Sequence, residues 1–228
     1  MIRCEGVEFT YPDGTRALPG VDLAIEPGER VAITGPNGSG KSTLVRLWNG
    51  LLRPTAGRVL VDGRSTDDRR VADLARSVGL TFQDPARQLF GRTCHAEVAF
   101  GARNVGLRGR DLDVAVAEAL EAVGLADAAT TAPYDLGPSR RRLLAIASVL
   151  AMGTPVVVLD EPTIGLDKTQ WATVANVIND LSAAGRTVVA ISHDARFVTG
   201  SFQRVMRLEA GRVIGNGAPA EVVGASTT

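Results

Sequence analysis

Nine residues, Gly35 to Thr43, read GPNGSGKST and fit the spacing GxxxxGK[ST], and no other stretch restricts the fold of this 228-residue chain as tightly. The segment before it, RVAIT (Arg30 to Thr34), is predicted as a strand. The segment after it carries Leu44, Leu47 and Leu51 at helical spacing and is closed by Gly50. A glycine-rich turn between strand and helix lets successive backbone N–H groups point inward at the helix N-terminus, which makes a nest for phosphate. Gly35, Pro36, Asn37, Gly38, Ser39 and Gly40 would form its wall, Lys41 would reach the terminal phosphates, and Ser42 and Thr43 would supply hydroxyls, with Ser42 on a magnesium ion. A nucleotide site is the expectation.

The rest of the chain reads as an α/β protein. The first 25 residues alternate apolar and polar positions around the turn signals PDG (Pro12 to Gly14) and PG (Pro19, Gly20), the pattern of an antiparallel β layer. GRVLVDG (Gly57 to Gly63) and SVGLTF (Ser77 to Phe82) are further strand candidates. From about residue 84 to 152 the texture turns helical, and there Asp111 is the predicted N-cap of a helix with Leu112, Val116, Leu120 and Val123 on one face and Gly124 as its stop. Two unbroken apolar runs follow, PVVVLD (Pro155 to Asp160) and TVVAIS (Thr187 to Ser192), with a predicted helix from Trp171 to Ala184 between them. Runs without alternation indicate strands covered on both faces of a parallel sheet. RVMRLEAGRVIGNG is expected to close the chain's fold as a hairpin.

Asp160 and Glu161 end one of those apolar strands, at the sheet edge where ligands of parallel α/β folds bind. Beside a phosphate loop they are placed for magnesium and for the attacking water, respectively. His193 ends the other run and emerges on the same edge, within reach of a terminal phosphate.

Charge and cysteine content narrow the remaining classes. The 25 basic residues balance 25 acidic ones, so the chain projects no net field toward nucleic acid, and no nucleic-acid partner is expected. Cys4 and Cys94 are far apart and belong to no CxxC pair, and adjacent Cys94 and His95 cannot both aim at one ion from regular structure. The opening MIRCEGVEF lacks a basic start followed by an apolar run, and no run of about 18 apolar residues occurs. A cytoplasmic protein that crosses no membrane by itself is expected.

Taken together, these motifs resemble the ATP-binding subunit of ABC transporters over nearly the whole length. The resemblance implies a P-loop NTPase core of the RecA-like kind, an antiparallel β layer at its N-terminus, and an inserted α-helical lobe, in a single domain over residues 1–228. It implies that Tyr11 in FTYPDG stacks on adenine and that Gln83 in LTFQDP contacts magnesium and the lytic water. On the same basis Asp160 holds magnesium, Glu161 is the catalytic base, His193 is the switch histidine, and Gly165, Leu166 and Asp167 form a loop crossing a dimer interface. The wording FQDPARQLF, followed by AEVAFG and ASVLAM, is similar to the ATPases of energy-coupling factor transporters. Those import vitamins or cobalt and nickel ions with integral membrane components, which would hold this chain on the inner face of the membrane.

One motif departs from the family pattern. Leu-Ser-Gly-Gly-Gln normally grips the terminal phosphate of ATP lying on the partner subunit. Here the matching residues are Leu136, Gly137, Pro138, Ser139 and Arg140. Gly137 has no hydroxyl and Pro138 has no N–H to donate. Arg140, Arg141 and Arg142 open a helix where cations oppose its dipole, so one of them facing phosphate and a solvated basic turn both remain open. The chain's own phosphate loop is complete, which suits an asymmetric heterodimer with a related ATPase bearing an intact signature, while homodimer and heterodimer both remain open from sequence. Ile164, in place of a small residue, also alters the interface loop. The alternatives are a soluble ABC ATPase acting on DNA or the ribosome, which would bring coiled coils, a second cassette or a basic surface, and a small-molecule kinase, which would need an acceptor site and lid.

Overall fold

The computed structural model describes residues 2–224. In chain order the strands and helices begin with β1 (Ile2–Thr10), β2 (Arg16–Ile25), β3 (Arg30–Thr34), α1 (Lys41–Trp48), β4 (Ala56–Val61), β5 (Arg64–Ser65), α2 (Val71–Leu74) and β6 (Val78–Thr81). Three longer helices follow, α3 (Cys94–Val105), α4 (Gly109–Ala122) and α5 (Pro138–Leu150). The chain then returns through β7 (Val156–Asp160), α6 (Lys168–Ala183), β8 (Thr187–Ile191), α7 (Ala195–Ser201), β9 (Arg204–Glu209), β10 (Arg212–Gly217) and α8 (Pro219–Gly224).

These strands form two sheets. An antiparallel sheet has the order β2-β1-β4-β5, and a larger one has the order β10-β9-β3-β8-β7-β6. In the larger sheet β9, β3, β8, β7 and β6 run parallel, and β10 is added antiparallel to β9, which is the predicted hairpin. The apolar runs explain why this sheet is interior. Every residue of β7 and β8 is buried. Val156, Val158, Val189 and Ile191 face one core with α1 and the antiparallel sheet, whereas Val157, Leu159, Val188 and Ala190 face another with the helices. A strand that must satisfy two cores has no position left for a polar residue until it leaves the sheet. Asp160 is therefore the first polar side chain of β7.

Local signals set the helix ends. Thr93 caps α3 by accepting from the Ala96 N–H at 3.1 Å, and Asp167 with Gln170 makes a reciprocal capping box at the start of α6. That box starts α6 at Lys168, three residues before the predicted Trp171. Asp111 is not an N-cap. The Leu112 N–H already bonds the Arg108 carbonyl, so α4 begins at Gly109 and Asp111 sits in its first turn, where a carboxylate still suits the helix dipole. Leu51 lies beyond the end of α1 and is exposed; the buried place at the end of that helix belongs to Trp48.

Helix α5 packs against β6, and the contact depends on a missing side chain. A Cβ on Gly79 would lie 2.6 Å from Val149 Cγ1 and 2.8 Å from Thr154 Oγ1. Gly79→Val is therefore expected to cost about 1–3 kcal/mol by overpacking. A lower guanidinium midpoint with an unchanged slope would report it.

Candidate active site

The turn after β3 behaves as the motif requires. Gly35, Gly38 and Gly40 have φ of +136°, +78° and +96°. At Gly35 a Cβ would stand 2.0 Å from the Leu208 carbonyl oxygen, so only glycine lets the loop leave β3 beside β9. Helix α1 then starts at Lys41 with its N-terminus toward the loop. The Lys41 ammonium is folded back over the turn, donating to the carbonyls of Gly35 at 2.9 Å and Pro36 at 2.7 Å. Burial lowers its pKa, and the carboxylates of Glu161 and Asp160 act in the opposite direction.

Strand β7 delivers the acids. The Ser42 hydroxyl donates to Asp160 Oδ2 at 3.0 Å, and the Asp160 N–H donates to Thr81 Oγ1 at 3.1 Å. Asp160 Oδ1 is buried and has no hydrogen-bond partner. Burial raises the Asp160 carboxyl above its ordinary value; the Ser42 hydrogen bond opposes this and the neighbouring Glu161 charge adds to it. Glu161 is buried and takes φ +50°, a left-handed backbone that a residue with a Cβ seldom adopts. Its carboxylate lies 3.0 Å from Nδ1 of His193, whose ring is largely exposed. Asp194, which follows, caps α7 through the N–H groups of Arg196 and Phe197 and so fixes where His193 leaves the sheet.

Tyr11, Lys41, Ser42, Gln83, Asp160 and Glu161 border one cleft of about 520 Å³, together with the rest of the loop from Asn37 to Thr43. The Tyr11 hydroxyl and Thr43 Oγ1 share a hydrogen bond of 2.8 Å, and the Tyr11 ring meets Phe9 edge to face at 4.8 Å. Gly35, Pro36 and His193 border an adjoining depression. Thr15, Arg16 and Ala17 also line the nucleotide-sized cleft and were not singled out from sequence, where the PDG turn marked only a bend between strands.

The signature-like turn and the interface loop lie outside that cleft. Leu136 is buried, Gly137 caps α5 without any side-chain hydrogen bond, and Pro138 occupies the first helical position. Ser139 Oγ accepts from Gln170 at 3.1 Å, which links this turn to the capping box after Gly165, Leu166 and Asp167. Gly165 has φ +72° and Ile164 is exposed beside it.

Each of the three arginines, for which the sequence left a phosphate contact and a solvated basic turn open, has a local partner. Arg140 pairs with Asp127 at 2.7 Å, Arg141 donates to the Leu136 carbonyl at 2.9 Å, and Arg142 donates to the carbonyls of Gln83 and Glu161. Arg142 is thus a residue of the site whose place the sequence did not reveal.

Comparison with known proteins gives this arrangement its family. The profile of the ABC transporter family matches residues 18–164. The energy-coupling factor transporter ATP-binding protein EcfA of Methanothermobacter thermautotrophicus is 41% identical over 224 residues, 97% of this chain and 72% of that protein. A putative ABC transporter ATP-binding protein of Streptomyces avermitilis is 40% identical over 222 residues, 97% of this chain and 84% of that one. Among solved structures, cbiO1 of Clostridium perfringens, part of the ABC transporter complex cbiONQ, superposes with a TM-score of 0.85 at 36% identity, covering 98% of this chain and 90% of that one. The ATP-binding cassette MJ0796, a dimer bound to ADP and Pi, superposes with a TM-score of 0.88 at 28% identity, over 96% of this chain and 99% of that one. A phosphate loop backed by a buried acid pair, on a fold shared with these cassettes, makes the chain a member of the ABC transporter family: an ATP-hydrolysing subunit of the energy-coupling factor type.

Proposed function

We propose that this ATPase energises an energy-coupling factor importer of vitamins or of cobalt or nickel ions, as one half of a heterodimer. In this reading the site on its own phosphate loop is the productive one. The observation that carries it is the inequality of the two half-sites. The chain's own cleft holds the loop, Lys41, Ser42, Gln83, Asp160 and Glu161 together. The turn it offers to a partner's nucleotide has Gly137 and Pro138 where a hydroxyl and an N–H would be needed, and its one serine hydroxyl is engaged by Gln170. The relatives named as energy-coupling factor ATP-binding proteins support the class of transporter.

The loop amides and Lys41 bind the phosphates of ATP, and Tyr11, fixed by Thr43 and Phe9, offers its ring to adenine. Asp160, Ser42 and Gln83 would hold magnesium. The orphaned Asp160 Oδ1 beside a hydroxyl suits a hard cation that takes one carboxylate, with its other ligands from water and substrate phosphate. Among the described residues there is no group of three His, Cys, Asp or Glu able to cage a metal alone, which also fits shared coordination. Bound magnesium supplies charge neutralisation on the phosphate oxygens. Glu161 takes a proton from water as the water oxygen bonds the terminal phosphorus and the bond to the ADP oxygen breaks. His193 holds the Glu161 carboxylate by their contact and presents its exposed edge to the released phosphate.

Docking of the membrane subunit is assigned to the groove flanking Gln83. Phe82, Phe90 and Phe100 line it, and the exposed rings of Phe90 and Phe100 meet edge to face at 4.7 Å. No helix among the described residues is long and apolar enough to cross a membrane, so in this reading the chain sits on the cytoplasmic face through its partners. The whole chain is taken to act as one ATP-binding domain, with residues 84–152 as its inserted lobe.

Two outcomes check this reading. Glu161→Gln in the assembled transporter is expected to lower the turnover rate by about 10²–10⁴-fold, the range for losing a general base. The matching change in the partner ATPase is expected to cost much less, and equal losses would overturn the asymmetry. The second outcome concerns Asp160. Burial raises its pKa above the ordinary aspartate value, so the native state binds this proton more tightly than the unfolded chain. The associated stability is present below the unfolded value and lost as pH rises through the folded one. At pH 7 the nucleotide-free protein therefore bears the cost of a buried charge. Asp160→Asn is expected to raise its melting temperature by about 2–4 °C, equivalent to ~1 kcal/mol at this size, while turnover is lost. The gain should shrink as the pH is lowered toward the unfolded value.

A further inference from the structure

Arg142 projects from the first turns of α5, the helix that the signature-like turn begins. Its Nη1 donates to the Gln83 carbonyl at 3.1 Å and to the Glu161 carbonyl at 3.0 Å. Those carbonyls belong to two different loops, one leaving β6 and the other leaving β7. Each loop carries a side chain that borders the cleft.

The contact matters most at Glu161. Its left-handed backbone is held from both sides: its N–H donates to the Ile191 carbonyl at 2.9 Å, and its own carbonyl accepts from Arg142. Sparsely populated conformations persist only where their surroundings over-determine them. With both polar backbone groups clamped, the direction of the Glu161 carboxylate follows. Arg142 is half-buried; burial lowers the pKa of its guanidinium, and the charges of Glu161, Asp84 and Asp160 oppose that shift. The neighbouring arginines cannot take over, because Arg140 is paired with Asp127 and Arg141 caps the Leu136 carbonyl.

We infer that Arg142 is a positioning residue for hydrolysis, which holds the left-handed turn at Glu161 and the Gln83 loop with one guanidinium and ties both to helix α5. Movement of the helical lobe then reaches the hydrolytic centre through this side chain. The forked guanidinium offers two hydrogens from one nitrogen in a fixed plane, a geometry that an ammonium does not reproduce. The inference rests on Glu161 being the base.

The test uses the assembled transporter with Arg142→Met and Arg142→Lys, and measures turnover, the dissociation constant for magnesium-ATP, and the melting temperature. Arg142→Met is expected to lower turnover by about ten- to a hundred-fold, the scale of a small misplacement of a catalytic group, with ATP affinity within about two-fold of the parent. Arg142→Lys should recover part of that loss. Turnover unchanged in both variants overturns the inference. A loss of turnover matched by an equal loss of ATP affinity, or of folded protein in both variants, also overturns it, because it marks Arg142 as a structural or binding residue. Failure of the base assignment shows separately, as retained turnover in Glu161→Gln.

Discussion

The site depends on the spacing of three parallel strands. β8 lies between β3 and β7, so the loop leaving β3 and the acids leaving β7 are two strand spacings apart, about 9–10 Å. That gap leaves room for the phosphate tail of a nucleotide between them, and Ser42 bridges it by donating to Asp160. Parallel pairing of β3, β8 and β7 puts every carboxyl end on one edge, so Lys41, Asp160, Glu161 and His193 meet without any long loop having to carry them. Covering both faces of these strands with apolar side chains makes the edge rigid. It also leaves the acids partly desolvated, which on the proposed reading would strengthen their hold on a cation and on water.

Much of this was legible in the sequence, because the relevant signals are local. GPNGSGKST states its own geometry, since glycine must occupy the positive-φ positions of the turn, and VVVLD and TVVAI announce doubly covered strands by their lack of alternation. What was not legible depended on partners distant in sequence. Arg140, Arg141 and Arg142 looked alike beside one another, yet their partners come from the Asp127 turn, the signature-like turn and two strand ends. Asp111 was misread for the same reason in reverse: a good capping residue stood near the helix start, but the backbone ladder had already begun at Arg108. Propensity names the residues able to do a task, and tertiary contacts select among them.

On the proposed reading, the inequality of the half-sites also follows from local chemistry. Proline at the first position of α5 is good for the helix, since its missing N–H would be unpaired there anyway. The same absence is harmful for gripping phosphate, where that N–H would have been a donor. A turn suited to starting a helix has thus given up one hydroxyl and one N–H that could have held an anion. Three arginines committed to Asp127 and to backbone carbonyls do not replace it.

That commitment has a consequence for how the chain transmits motion. Gln170 ties Ser139 to the interface loop, and Arg142 ties the same helix to the Gln83 loop and Glu161. Helix α5 is therefore joined at its N-terminal end to the capping box after Gly165 to Asp167 and to the backbone carbonyls of Gln83 and Glu161. A rigid helix cannot move at one of these points without moving at the others, because close-packed interiors transmit displacement and do not absorb it. On the proposed reading, the turn that gives up phosphate contacts keeps its mechanical role. Closure of the dimer would then act on this chain's own hydrolytic centre through α5, and the stronger site lies in the subunit whose signature is weaker.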